Sequence, residues 1–279
     1  MKNEDIYKEL TQAFVDCLNE GEIPWQKPWK EQYNMISCKE YEGMNQLYLG
    51  LRASKNKWPN AWATFKQINE LGGSVASGSK GSIVVWWNLF KRKKEVEGKE
   101  VIEVIPTLKY FRVFNLAQTH GIKENKIKQP FDNDLMAEQV ANSYLKRENL
   151  NLERSNKAFY SPSSDYVGMP DREIFSSQEE YFSTLFHELT HSTGHQSRLN
   201  REEVQNFHFF GSETYSKEEL TAEIGAAFLC TKTKISNQKT LTNSKAYIQS
   251  WIKVLEKNPK WILSASSKAQ KAAEFILGE

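Results

Sequence analysis

Residues 186–199 read FHELTHSTGHQSRL, which places three of the chain's five histidines within nine positions and a glutamate directly after the first. His187 and His191 are four residues apart, so on a helix their imidazoles share one face and can reach a single ion. Glu188 completes an HExxH pattern. In such a site zinc brings the pKa of a bound water toward neutrality, and the glutamate takes the water's proton as general base. The preceding QEEYFSTLF supplies helix-forming residues with apolar packing positions, and a helix is expected to start near Ser177.

Catalytic zinc needs a third protein ligand and one open position. HELTHSTG also fits the start of the longer HExxHxxGxxH pattern, but Ser197 stands where that pattern has its last histidine. His195, directly after Gly194, is out of register. A carboxylate from a later helix is the better source. In YSKEELTAEIGAAFLC (215–230), Glu219 and Glu223 lie at i,i+4 on one face of a small, apolar surface. Glu219 is expected as the ligand and Glu223 as the partner that orients a ligand histidine, with Glu218 a lesser candidate. Ser216 is expected to cap this helix, which makes Glu219 a competing capping-box residue. Tyr160, Tyr166, Tyr215 and His208 all stand open as oxyanion donors. DYVGMP (165–170) reads as a short edge strand suited to pair with an extended peptide.

The composition, 39% hydrophobic and 12% aromatic in 279 residues, supports a packed core, and 26% charged residues a solvated surface. No run of 18 apolar residues occurs, so no membrane partner is expected. Residues 3–20 pattern as an amphipathic helix with Ile6, Leu10, Phe14 and Leu18 on one face, not as a signal peptide. Cys17, Cys38 and Cys230 are widely spaced, which suits a reducing cytosol, and a cytoplasmic location is expected. Neither a GxSxG nucleophile nor a P-loop is present.

Charge and aromatics are unevenly spread. Residues 1–128 carry 20 Lys and Arg against 15 Asp and Glu, and six of the eight tryptophans lie in residues 25–87. The first region patterns as α+β: helices over 3–20, 41–56 and 63–73, and strands over 82–90 and 104–115 that flank a charged hairpin tip. The polar, lysine-rich HGIKENKIKQPFDND (120–134) is the linker candidate. The expected division is 1–125, a linker at 126–134, and a second domain at 135–279 with a helix near 135–148, one from about Ser177 that carries the histidines, and others near 216–230, 244–256 and 264–277. In the first region aromatics interleave with lysines, the combination that binds single-stranded nucleic acid by stacking and phosphate contact. Trp25, Lys27, Trp29, Trp58, Trp62, Lys66 and Lys80 are the candidate DNA contacts. Trp86 and Trp87 point to opposite faces of a strand, so at least one is expected in the core.

Together these stretches resemble the ArdC-type antirestriction proteins of plasmids and other mobile elements. The similarity runs through IPWQKPW, YEGMNQLYL, WATFKQINELGGSVASGSKGSIVVWW and YFRVFNLAQTHGI, then through YSPSSDYVGMPDREIFSSQEEYFSTLFHELTHSTGHQSRLNR and FGSETYSKEELTAEIGAAFL. The resemblance implies an α+β protein of two domains, a single-stranded-DNA-binding domain followed by a zincin-like, gluzincin-type metallopeptidase domain. It also implies protection of incoming DNA from host restriction. The family's Zn2+ site falls on His187, His191 and Glu219, with Glu188 as general base. Its expected partners are single-stranded DNA and a peptide or protein substrate. Two other readings compete: a metalloprotease toxin or processing peptidase whose first domain selects a protein, and a DNA-binding protein with non-catalytic zinc.

Overall fold

A small patch of four glutamates and two histidines sits where two long helices cross, and the rest of the second half is built to hold that crossing. The computed structural model describes residues 3–26, 30–96, 99–122, 136–205, 212–235 and 244–279. The expected linker, and Lys27 and Trp29, lie outside these residues in whole or part, as does His208. In chain order the elements are helix α1 (Asn3–Asn19), strand β1 (Tyr33–Asn34), α2 (Gly43–Asn56), β2 (Ala61–Thr64), α3 (Phe65–Glu70), β3 (Ser74–Val75), β4 (Ser82–Val96), β5 (Lys99–Asn115) and β6 (Thr119–His120). There follow α4 (Ala137–Glu148), β7 (Asn151–Arg154), β8 (Phe159–Ser161), β9 (Tyr166–Met169), α5 (Gln178–Ser192), α6 (Glu202–Gln205), α7 (Glu213–Lys232), α8 (Ser244–Lys257) and α9 (Trp261–Leu277). The protein is α+β, as expected.

In the first half a four-stranded sheet has the order β1-β2-β5-β4. The expected helix over 63–73 is a strand-to-helix junction: Thr64 ends β2 and caps α3 through a capping box with Gln67. β4 and β5 pair in register from Ser82↔Val113 to Val96↔Lys99, so the stretch expected as a hairpin tip is itself paired strand. Neither Trp86 nor Trp87 is in the core, at 44% and 51% exposed. Alternation buries one face only where something packs on the sheet, and this hairpin runs past the elements that cover its root.

In the second half β9 is the middle strand of the order β7-β9-β8, which corrects the expected edge at DYVGMP. Asn151–Arg154 pairs parallel to it on the far side. That segment is wholly exposed and shows no apolar alternation, which hid it from pattern reading. The edges are therefore β7 and β8.

One large hydrophobic cluster spans both halves, and a smaller one of Tyr33, Met35, Ala61, Ala63 and Ile68 lies in the first half. The large cluster runs from Ile6 and Leu10 on α1 through Leu47 on α2 to Trp251 on α8 and Ile276 on α9. Trp25 meets Trp251 edge-on with ring centroids 5.1 Å apart. Thr11 Oγ1 donates to the Pro259 carbonyl at 2.6 Å, and the Gly43 N–H donates to Gln270 Oε1 at 3.1 Å. No helix among the described residues is long and apolar enough to cross a membrane.

Trp251→Ala is expected to cost about 3–5 kcal/mol. Because its cavity opens in the shared core, urea unfolding of the wild type followed by fluorescence and by far-ultraviolet circular dichroism should give coincident single transitions, with the variant's shifted as one.

Candidate metal centre

Helix α5 presents the HExxH residues. The Ser177 hydroxyl caps it by accepting from the Glu180 N–H at 3.2 Å, and Glu179 and Glu180 sit in the first turn, favourable at the positive end of the helix dipole. Helix α7 supplies the carboxylates. It starts one turn earlier than expected: Ser212 is the cap, accepting from the Tyr215 N–H at 3.2 Å, and Ser216 lies inside the helix with its hydroxyl on the Ser212 carbonyl and on Ser250. Glu219 is thereby free of any capping role. The two helices approach closely at Gly225, where an added Cβ would stand 2.6 Å from Thr190 Cγ2. Thr190 lies between the two histidines of the motif, so this contact sets the distance between the histidine face and the glutamate face.

His187 Nε2 and His191 Nε2 face each other at 3.1 Å. Glu219 places one oxygen 3.6 Å from His187 Nε2 and the other 3.6 Å from His191 Nε2. These three residues form a group whose ligand atoms all lie within 4.8 Å of one another. Donors around a tetrahedral zinc with bonds of about 2.0–2.1 Å stand roughly 3.4 Å apart, so the spacing suits a small divalent cation. Two imidazole lone pairs aimed at each other also repel unless positive charge lies between them.

Each histidine is held from behind. His187 Nδ1 is 3.2 Å from Glu223 Oε1, and His191 Nδ1 is 3.1 Å from Glu218 Oε1. A carboxylate on Nδ1 fixes the tautomer that leaves Nε2 free to bind metal. Glu223 is the carboxylate behind His187. Glu218 takes an equal role that the sequence only hinted at, and Arg201 makes it possible. The Arg201 Nε and Nη2 donate to Glu218 at 3.0 and 2.6 Å, and its other donors reach Thr193 Oγ1 and the Thr190 carbonyl. Burial pushes the Glu218 carboxyl up, but the Arg201 charge and His191 outweigh it and hold the group at about 2.

The segment after the motif supplies no ligand. It turns back so that Arg198 and Arg201 both donate to carbonyls at the C-terminus of α5, where cations are favoured. His195 Nδ1 bonds Ser197 Oγ at 2.8 Å and stands 3.9 Å from Asp165. Asp165 in turn accepts from Arg198 and from the Tyr160 hydroxyl.

Glu188 is buried beside the triad. Burial raises its carboxyl above the usual range, partly offset by His187, His191 and the Tyr160 backbone N–H, which donates to it. Tyr160 lies on the edge strand β8, so that edge borders the glutamate. Glu219 is likewise desolvated, but His187, His191 and the Tyr215 hydroxyl hold it below the ordinary value. Of the four oxyanion candidates, Tyr215 therefore stands at the centre, whereas the Tyr160 hydroxyl is taken by Asp165.

The candidate DNA contacts fare differently. Trp25 and Trp62 are core residues, 1% and 0% exposed, and cannot offer a face to a base. The Trp62 indole N–H donates to Gln32 at 2.7 Å. Trp58 is half-buried against Trp62, with Arg52 over its ring. Lys66 and Lys80 are exposed, Lys66 being paired with Glu70 at 3.8 Å. Pattern reading could not separate packed tryptophans from exposed ones in loops of one composition.

Comparison with known proteins places this geometry. Residues 4–114 match the model of the N-terminal domain of anti-restriction factor ArdC, and residues 139–268 match that of a zincin-like metallopeptidase. The crystal structure of the antirestriction ArdC protein from the R388 plasmid, in its metal-free form, superposes with a TM-score of 0.78 at 33% identity, covering 98% of this chain and 96% of that one. This chain belongs to the ArdC antirestriction family. The Mn(II)-bound structure of the R388 protein superposes equally well, covering 97% of that chain. A DNA primase TraC of Escherichia coli is 30% identical over 98% of this chain, which spans only 27% of the primase. The uncharacterized protein y4eC of Sinorhizobium fredii (strain NBRC 101917 / NGR234) is 27% identical over 98% of this chain and 91% of its own length. The second half is the zincin-like domain, and His187, His191 and Glu219 are the residues in it whose geometry could hold a divalent metal.

Arg201→Met should leave the Glu218 charge without its main partner, costing about 3–5 kcal/mol in urea unfolding. Metal affinity, measured by chelator competition, should fall about 10–100-fold although no ligand is touched. Gly225→Ala should cost about 1–3 kcal/mol by forcing α5 and α7 apart, and should weaken metal binding in the same titration.

Proposed function

We propose that this chain is a zinc-dependent peptidase of the antirestriction type, which binds single-stranded DNA entering a cell and acts on protein at that DNA to shield it from restriction. One observation carries the peptidase part: a desolvated Glu188 beside two histidines and a glutamate whose donor atoms converge. The bound metal supplies Lewis-acid polarisation of a carbonyl and makes a nearby water more acidic. Glu188 accepts a proton from the attacking water and hands it to the departing amine, so the peptide bond is exchanged for a carboxylate and an amine. Its burial makes it a stronger base than an exposed carboxylate. Glu223 and Glu218 keep the histidines in one tautomer, and the outer edge of β8 offers an extended backbone a strand to pair with beside Glu188.

The DNA part is supported by the family, by the excess of lysine and arginine in the first half, and by its exposed aromatics. The R388 relative is an antirestriction protein and the TraC relatives are primases. A location in the cytoplasm, where transferred DNA meets restriction enzymes, follows from this reading. The competing reading, DNA coating with an idle metal, rests on the same first-half features.

Glu188→Gln is expected to keep the wild-type metal stoichiometry by mass spectrometry, to retain oligonucleotide binding, and to lose peptide hydrolysis by about 10²–10⁴-fold. In a mating assay with a restricting recipient, loss of DNA protection by this variant would tie hydrolysis to antirestriction. Full protection by it would favour coating alone.

A further inference from the structure

Of the ten large hydrophobic side chains exposed among the described residues, six (Trp86, Trp87, Phe90, Ile102, Tyr110 and Phe111) lie on the β4–β5 hairpin. At its root Val84 and Val85 are buried, and Asn45 on α2 closes the outer edge of β4 through two 2.8 Å hydrogen bonds to the Val85 backbone. Beyond that point the ribbon runs clear. Trp86, Trp87 and Phe90 are 44%, 51% and 56% exposed, and Tyr110 and Phe111 on β5 are exposed as well. Large aromatics left in water in this number mark a binding surface.

The register sorts them onto faces. Trp86 is the Cα partner of Lys109, and Val84 that of Phe111, so Trp86, Lys109 and Phe111 share one face. The Trp86 and Phe111 rings stand 5.2 Å apart at 55°. Phe90 is on the same face, about 13 Å farther along β4 at the rise of an extended strand. Arg92 and Lys94 follow it by the same alternation, and both are exposed. Residues 82–115 carry seven Lys and Arg against four Glu. The face thus carries a row of ring surfaces with Lys109, Arg92 and Lys94 between and beyond them, and a single glutamate, Glu103, opposite Arg92.

We infer that this hairpin face, with Trp86, Phe111 and Phe90 as stacking platforms and Lys109, Arg92 and Lys94 as phosphate contacts, is where the first half grips a single strand. The inference rests on the DNA-binding reading above and replaces the buried Trp25 and Trp62 as its stacking residues. Paired bases hide their faces within a duplex, whereas a single strand presents base faces and phosphates together, in the alternation that the ribbon offers.

Binding of a fluorescein-labelled oligothymidylate, followed by anisotropy across a salt series, tests this. The combined Trp86→Ala and Phe90→Ala variant should bind at least tenfold more weakly, while Trp86→Phe, which keeps a ring face, should stay near wild type. Lys109→Gln and Arg92→Gln should each reduce the slope of log affinity against log salt by about 0.7. Lys66→Ala and Lys80→Ala should do little. Thermal midpoints and metal stoichiometry equal to wild type establish that the variants are folded, which the exposure of these side chains favours. A folded double-alanine variant that binds as wild type would overturn the hairpin assignment alone. Duplex DNA competing as well as the single strand would overturn the stacking mode. A wild-type protein that binds no single strand would overturn the assignment and the DNA-binding reading together.

Discussion

Four carboxylates, those of Glu188, Glu218, Glu219 and Glu223, are packed into the contact between α5 and α7 with Arg201 as the permanent cation among them. Removing so much negative charge from water is costly, and the neighbouring groups divide that cost. Arg201 satisfies Glu218, the histidine Nδ1–H groups satisfy Glu218 and Glu223, and Glu188 is shifted toward its neutral form. What is left is a negative site with two nitrogen donors and a carboxylate facing inward, which a divalent cation completes. The close helix approach at Gly225 is what gathers these charges, so the packing of the second half and its chemistry rest on the same contact.

The parts of this centre differ in how far they could be read from residues alone. His187, Glu188 and His191 are fixed by helical spacing, and Glu219 and Glu223 follow from the same rule on a second helix. Glu218 and Arg201 do not follow from any local period. Arg201 reaches Glu218 because the chain after Gly194 folds back over the end of α5, a tertiary event that leaves no periodic mark. Ser212 and Ser216 are both good caps one turn apart, and only the packing of Ser216 against Ser250 shows which of them is internal to α7.

The same limit explains the first half. Tryptophan is amphipathic and large, so composition near lysines predicts both a packed ring and a stacking ring. Trp25 and Trp62 prove to be packing residues because elements from the other half and from the sheet close over them. Trp86 and Trp87 prove exposed because the strand that carries them outruns its cover. The β7 segment NLER went unread for the converse reason: a solvent-facing strand held by backbone pairing needs no apolar pattern.

The meeting of Trp25 with Trp251 has a bearing on whether the halves can be parted. A chain whose halves each closed their own core could be cut and rejoined between them. Here a break at the junction would expose the apolar flanks of α1, α2, α8 and α9 at once. Similarity to the much longer TraC proteins likewise extends over both halves, covering 98% of this chain.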